Sequence, residues 1–116
     1  MVENCETLIQ VEPNFEHAGC YRVLGNIYAQ APSFSLDPKH ITQDLDKSAE
    51  YLRKAVALSP DYPLNHFFLA RTLEALGDKP NAKQELELFD RSSKDGIDQD
   101  YPEWKKERDS LAQKLL

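Results

Sequence analysis

No apolar run in this chain approaches the roughly 18 residues that a membrane-spanning helix requires, so insertion into a bilayer is not expected. The N-terminus, Met1-Val2-Glu3-Asn4-Cys5, lacks the basic and apolar regions of a signal peptide. As written, the chain reads as cytoplasmic; if it is a fragment that has lost a leader, the reading becomes periplasmic. Positive charge is scarce too. The 14 Lys and Arg face 20 Asp and Glu, and a net charge of −6 excludes a general attraction to nucleic acid or anionic lipid. Two cysteines, Cys5 and Cys20, are too few for a disulfide framework, and their apolar helical neighbours make both read as small core residues. No Walker loop, GxGxxG, CxxC, HExxH or GxSxG pattern occurs, so no catalysis, cofactor or metal is expected.

What is present favours helix. Only 4 glycines in 116 residues, with 41% hydrophobic and 29% charged side chains, describe one folded domain over residues 1–116. Residues 2–11 carry apolar side chains at helical spacing, and Glu12-Pro13 ends that helix. Asn14 or Glu16 begins a second helix, which runs to about Gln30 with Tyr21, Leu24, Ile27 and Tyr28 inward. The segment 32–40, with two prolines and two serines, is a loop. Ile41, Leu45, Ser48, Ala49, Leu52, Ala55 and Leu58 then form one apolar stripe that ends at Ser59-Pro60. Asp61-Tyr62-Pro63 starts the helix Leu64–Leu76, which Gly77 terminates, and Asp78 caps a helix that buries Ala82, Leu86 and Phe89. After the polar turn 92–100, Pro102 and Glu103 open a last helix over 102–115 that carries Trp104, Arg108, Leu111 and Leu115 at helical spacing.

The run Tyr21-Arg22-Val23-Leu24-Gly25-Asn26-Ile27-Tyr28 resembles the first helix of a tetratricopeptide (TPR) hairpin. Large side chains form a stripe, and a glycine inside it, which costs about 1 kcal/mol of helix propensity, admits a closely packed partner helix. Leu24-Gly25-x2-Tyr28 recurs as Leu69-Ala70-x2-Leu73, 45 residues on. The resemblance implies an all-α, right-handed α-α superhelix of about two TPR hairpins. Residues 2–11 form a half-repeat helix, 16–59 repeat one with 32–40 inserted, 62–93 repeat two, and 102–115 a capping helix. The insertion adds about eleven residues between the helices of repeat one, and loops of that length in a compact domain are frequently functional.

Few residues suggest chemistry. Cys5, His17 and Cys20 form one constellation of metal-binding or redox type, but no fourth ligand is evident, and packing is the expected role. His40 and His66 read as exposed or core histidines. Asp44 with Asp46 and Glu85 with Glu87 stand two positions apart, on different helix faces, and read as solvated charges.

The pieces Pro13-Asn-Phe, Arg22-Val-Leu-Gly25-Asn-Ile-Tyr28-Ala-Gln-Ala-Pro32, the inserted loop, and Pro60-Asp-Tyr-Pro with Leu69-Ala70 look like the T-component proteins of tripartite (TRAP) solute transporters. The resemblance covers about residues 12–90. It implies a periplasmic helical lipoprotein working with a substrate-binding protein, although this chain has no lipid-attachment leader and fewer repeats. A non-catalytic scaffold that binds a protein or peptide in its concave groove is therefore the first functional expectation. The alternative is a transport accessory domain that docks a substrate-binding protein or shelters an apolar solute beside Phe34 of the loop. Arg22, Asn26, Gln30, Phe67, Arg71 and Glu74 are the expected groove residues, and Arg22 with Asn26 offers donors for a carboxylate. Leu64 and Phe68 fall where the other basic residues of such a clamp belong.

Overall fold

Gly25 lies where two helices meet at the shortest distance the chain allows. A Cβ built on it would stand 2.5 Å from Leu52 Cγ, and Leu52 is itself fully buried. The computed structural model describes residues 2–11, 15–31, 43–94 and 97–116. Among these it forms six helices: α1 (Val2–Val11), α2 (Phe15–Gln30), α3 (Leu45–Leu58), α4 (Pro63–Ala75), α5 (Lys79–Arg91) and α6 (Tyr101–Lys114). The domain is all-α, as its composition and periodicity indicate. The loop 32–40, with Phe34, His40 and the neighbouring Ile41, falls outside the described residues.

Local chemistry sets the boundaries. Asp44 accepts a hydrogen bond from the Lys47 amide and caps α3 while its carboxylate stays exposed to solvent. Asp78 caps α5 through the Asn81 amide and also accepts from the Asn81 side chain at 2.7 Å. Between α4 and α5, Gly77 adopts φ +87°, the Gly77 amide donates to Glu74 O, and the Asp78 amide donates to Leu73 O. A positive φ is the reason for glycine there. Pro63, Pro80 and Pro102 each stand in a first turn, where a missing N–H costs nothing.

The chain folds as two antiparallel hairpins, α2 with α3 and α4 with α5. The last carbonyls of α2 meet the start of α3: Asp44 N donates to Tyr28 O and Gln43 Nε2 to Ala29 O, both at 3.0 Å. Farther along the hairpin, Gly25 faces Leu52, and Tyr21 lies 6.2 Å from the Tyr51 ring. Tyr28 stacks on the same Tyr51 at 5.9 Å, so both tyrosines of the opening stripe pack on one ring of α3 and remain half-buried. Helix α4 packs on α2, α3, α5 and α6, and α6 contacts both α4 and α5.

The core follows from this stacking. Leu52, Phe67, Leu69, Ala70, Leu73, Ala82, Leu86 and Phe89 are buried between the hairpins, and Leu111 and Leu115 of α6 close them. Trp104 meets Phe67 and Phe68 edge-on, at 5.7 and 5.6 Å. Arg108 grips Asp90 of α5 with two hydrogen bonds, at 3.0 and 2.8 Å, and holds α6 in place. Two details depart from the sequence reading. Leu58 is 38% exposed, because α3 ends there and the chain turns away, and Ile97, in a turn read as wholly polar, is buried under the α5–α6 corner.

Cys5 and Cys20 are joined by a disulfide, with their Cα atoms 5.1 Å apart. This corrects the expectation of two free core thiols. The bond pins α1 to α2, the one helix that α1 contacts among the described residues.

Candidate functional site

Side by side and parallel, α2 and α4 present a ladder of guanidinium and amide groups. Arg22 Nη1 of α2 donates to Asn65 Oδ1 of α4 at 3.0 Å; one turn on, Arg71 Nη2 of α4 donates to Asn26 Oδ1 of α2 at 3.2 Å. Each arginine lies over an aromatic ring, Arg22 at 4.6 Å from the Tyr62 centroid and Arg71 at 5.0 Å from that of Phe68. The helical period that puts Arg22 and Asn26 on one face of α2 also turns them from Leu24 and Gly25, which pack on α3.

The lower rung is anchored most deeply. Asn65 is fully buried, and besides accepting from Arg22 it donates through Nδ2 to Ala55 O and Ser59 O, both at 3.3 Å. It therefore ties the end of α3 to α2 through α4. Farther along α4, the buried hydroxyls of Ser48 and Thr72 pair at 3.1 Å. The upper rung differs. Burial pushes the Arg71 guanidinium below its ordinary pKa, and the more distant Glu107 of α6 only partly offsets that.

Of the expected groove residues, Arg22, Asn26 and Arg71 are brought together. Gln30 is exposed and Glu74 half-buried, on the same two helices. Phe67 does not belong with them. It is 1% exposed, with its ring against Phe68, Phe89 and Trp104, so it is a core residue and not a groove residue. Phe34 lies outside the described residues. Asn65, Tyr62 and Phe68 belong to the face and were not anticipated. Asn65 carried one usable signal, an amide inside the apolar run Leu64 to Ala70, since a buried amide requires partners.

The remaining candidates resolve into structure. The sulfurs of Cys5 and Cys20 are spent on each other, which removes the thiolates a metal or redox site at Cys5, His17 and Cys20 would need. Among the described residues no group of three or more His, Cys, Asp and Glu side chains is placed to hold a metal ion. His66 is buried, with Nδ1 3.0 Å from Glu85 Oε2 and Nε2 2.6 Å from Pro60 O. Both partners accept, so only the doubly protonated ring satisfies both. Burial opposes that charge most strongly, yet the Glu85 and Pro60 contacts outweigh it and raise the pKa. Glu85 is thus a half-buried partner of His66 rather than a freely solvated charge.

No helix among the described residues is long and apolar enough to cross a membrane. The chain matches no protein-family model, and no curated protein matches it.

Proposed function

We propose that this protein is a non-catalytic binding scaffold of tetratricopeptide type, in which two stacked hairpins of a right-handed α-α superhelix offer the α2–α4 face to a protein or peptide. The observation that carries this reading is the Arg22–Asn65 and Asn26–Arg71 ladder. It presents two guanidinium groups on a surface held rigid by buried hydrogen bonds, flanked by the exposed Gln30 and the half-buried Glu74. The 45-residue recurrence and the glycine at the α2–α3 contact support the repeat assignment. A displayed library of short peptides, selected on the full chain and mapped by backbone amide shifts, tests it. Shifts concentrated at residues 22–30 and 65–75 support the scaffold. Selected peptides that map to the outer helices α3 and α5 contradict it.

A second reading has one specific observation in its favour. Disulfides form and persist in oxidising compartments, so the Cys5–Cys20 bond supports a periplasmic or secreted setting over the cytoplasmic one that the N-terminus suggests. That setting suits an accessory domain of a solute transport system, similar to the T-component proteins, docking a substrate-binding protein. Trapping free thiols with a maleimide reagent in intact cells tests the compartment. Full protection of both cysteines supports it, and complete labelling removes it. A leader encoded upstream and neighbouring transporter membrane genes would favour the transport role.

A further inference from the structure

Helices α3 and α5 each pack on α4 and leave a gap between them. The gap is a cavity of about 330 Å³, lined by Arg53 of α3, Leu69 and Leu73 of α4, and Asn81, Gln84 and Glu85 of α5. Leu69 and Leu73 stand one helical turn apart and are 3% and 2% exposed, so an apolar strip lies under the opening. Opposite charges flank that strip without meeting. Elsewhere on α3 and α5 the ions pair locally, Lys54 with Glu50 and Arg91 with Glu87. Arg53 is exposed and has no ion-pair or hydrogen-bond partner among the described residues, although the Glu85 carboxylate lines the same cavity. That carboxylate is held in place. Its Oε2 is bonded to His66 Nδ1 at 3.0 Å, and the side chain is 15% exposed. No described buried side-chain oxygen lacks a partner, so Glu85 Oε1, which has none, reaches solvent and is the oxygen free for the cavity. The Asn81 amide is likewise fixed, by its 2.7 Å bond to Asp78, and Gln84 stands exposed at the rim.

We propose that this cavity binds a free α-amino acid with a small aliphatic side chain, its carboxylate on Arg53, its ammonium on Glu85 and its side chain over Leu69 and Leu73. The site lies on α3, α4 and α5, receives no residue from α2, and does not rest on the reading of the α2–α4 face. Charge and size select the class. The volume is at the lower end of the roughly 300–1,000 Å³ of small-molecule sites. A simple anion would meet Arg53 but be repelled by Glu85, and a simple cation the reverse. An uncharged apolar molecule would cover both charges without pairing either. A zwitterion satisfies both, through two charge-assisted contacts with a planar guanidinium and a fixed carboxylate. A peptide carries its two charged termini on different residues, whereas a free amino acid carries both on one carbon.

Titration of the full isotope-labelled chain with L-valine tests this. The controls, at matched ionic strength, are N-acetyl-L-valine, which lacks the ammonium, and L-valinamide, which lacks the carboxylate; they also stand for the C-terminal and N-terminal residues of a peptide. Valine is expected to give saturable shifts at the Leu69 and Leu73 methyls, the Gln84 side-chain amide and Arg53 Nε–H. It is also expected to move the His66 ring signals, through the carboxylate that His66 and the ammonium share, and N-acetyl-L-valine to leave them in place. Each control is expected to bind at least about tenfold more weakly than valine. R53Q is expected to weaken valine about tenfold, and Q84F, which fills the opening from an exposed position, to abolish the shifts. Both substitutions are at exposed positions outside the core, so the amide spectrum away from the cavity is expected to stay that of the parent. An absence of saturable shifts with valine, binding of either control as tight as valine, or valine shifts that survive Q84F would overturn the proposal.

Discussion

Asn65 Oδ1 accepts the Arg22 guanidinium at 3.0 Å while Asn65 Nδ2 reaches the carbonyls of Ala55 and Ser59, so one buried amide joins three helices at the base of the binding face. A side chain with a donor and an acceptor is needed, because the groups it meets are a cation on one side and two carbonyls on the other. Asn65→Ala removes three hydrogen bonds that join these helices around a buried amide and is expected to cost about 2–4 kcal/mol in urea denaturation. A double-mutant cycle with Arg22→Met is expected to show coupling of about 1 kcal/mol or more.

Gly25→Ala is expected to destabilise despite the better helix propensity of alanine. The added methyl would fall 2.5 Å from Leu52 Cγ, and the fully buried Leu52 has no free space to retreat into. Overpacking costs of about 1–3 kcal/mol exceed the roughly 1 kcal/mol gained in propensity. The paired substitution Leu52→Ala with Gly25→Ala removes the clash, so the two effects should not add. Thermal denaturation of the single and double variants reads this.

At Gly77 the reason for glycine is different, since a Cβ there meets nothing within 4 Å. Gly77→Ala is expected to cost about 1 kcal/mol from φ +87° alone, and Gly77→Asn less, because asparagine tolerates the left-handed region. Melting temperatures of the two variants separate backbone strain from packing.

His66 makes stability depend on pH. Its folded pKa is raised above 6.5, so its contribution is complete below the unfolded value and is lost as pH rises through the folded value. The groups facing it are Glu85 of α5 and Asp61 with the Pro60 carbonyl of the α3–α4 turn. Unfolding free energy is expected to fall as pH rises above about 6.5 in the parent, and the slope to flatten in Glu85→Gln. A parent whose stability rises over that window contradicts the assignment.

The disulfide closes a segment of 15 residues, for which chain-entropy arguments give about 3 kcal/mol. Because α2 is the one helix that α1 contacts among the described residues, reduction is expected to release α1 before the hairpins. Hydrogen exchange with and without reductant reads this as lost protection confined to residues 2–11.

Much of the helical framework was legible because its signals are local. Asp44, Asp78 and Gly77 mark helix ends by their own chemistry, and Leu24-Gly25 marks a close contact because few other causes put glycine inside an apolar stripe. The site was legible only in part. Helix α4 is buried at every position from Pro63 to Ala70, since it is packed by α2, α3, α5 and α6, so its sequence has no polar face from which to orient it. Phe67 was placed in the groove for that reason. The Cys5–Cys20 bond and the His66–Glu85 pair depend on which helices meet, and no spacing within one helix encodes them.

The central claim is the proposal that the α2–α4 face binds a peptide. The most direct measurement is the backbone amide shifts of the full chain during titration with peptides selected from a displayed library. Saturable shifts concentrated at residues 22–30 and 65–75 are the predicted result. Shifts concentrated on α3 and α5 instead would contradict the account.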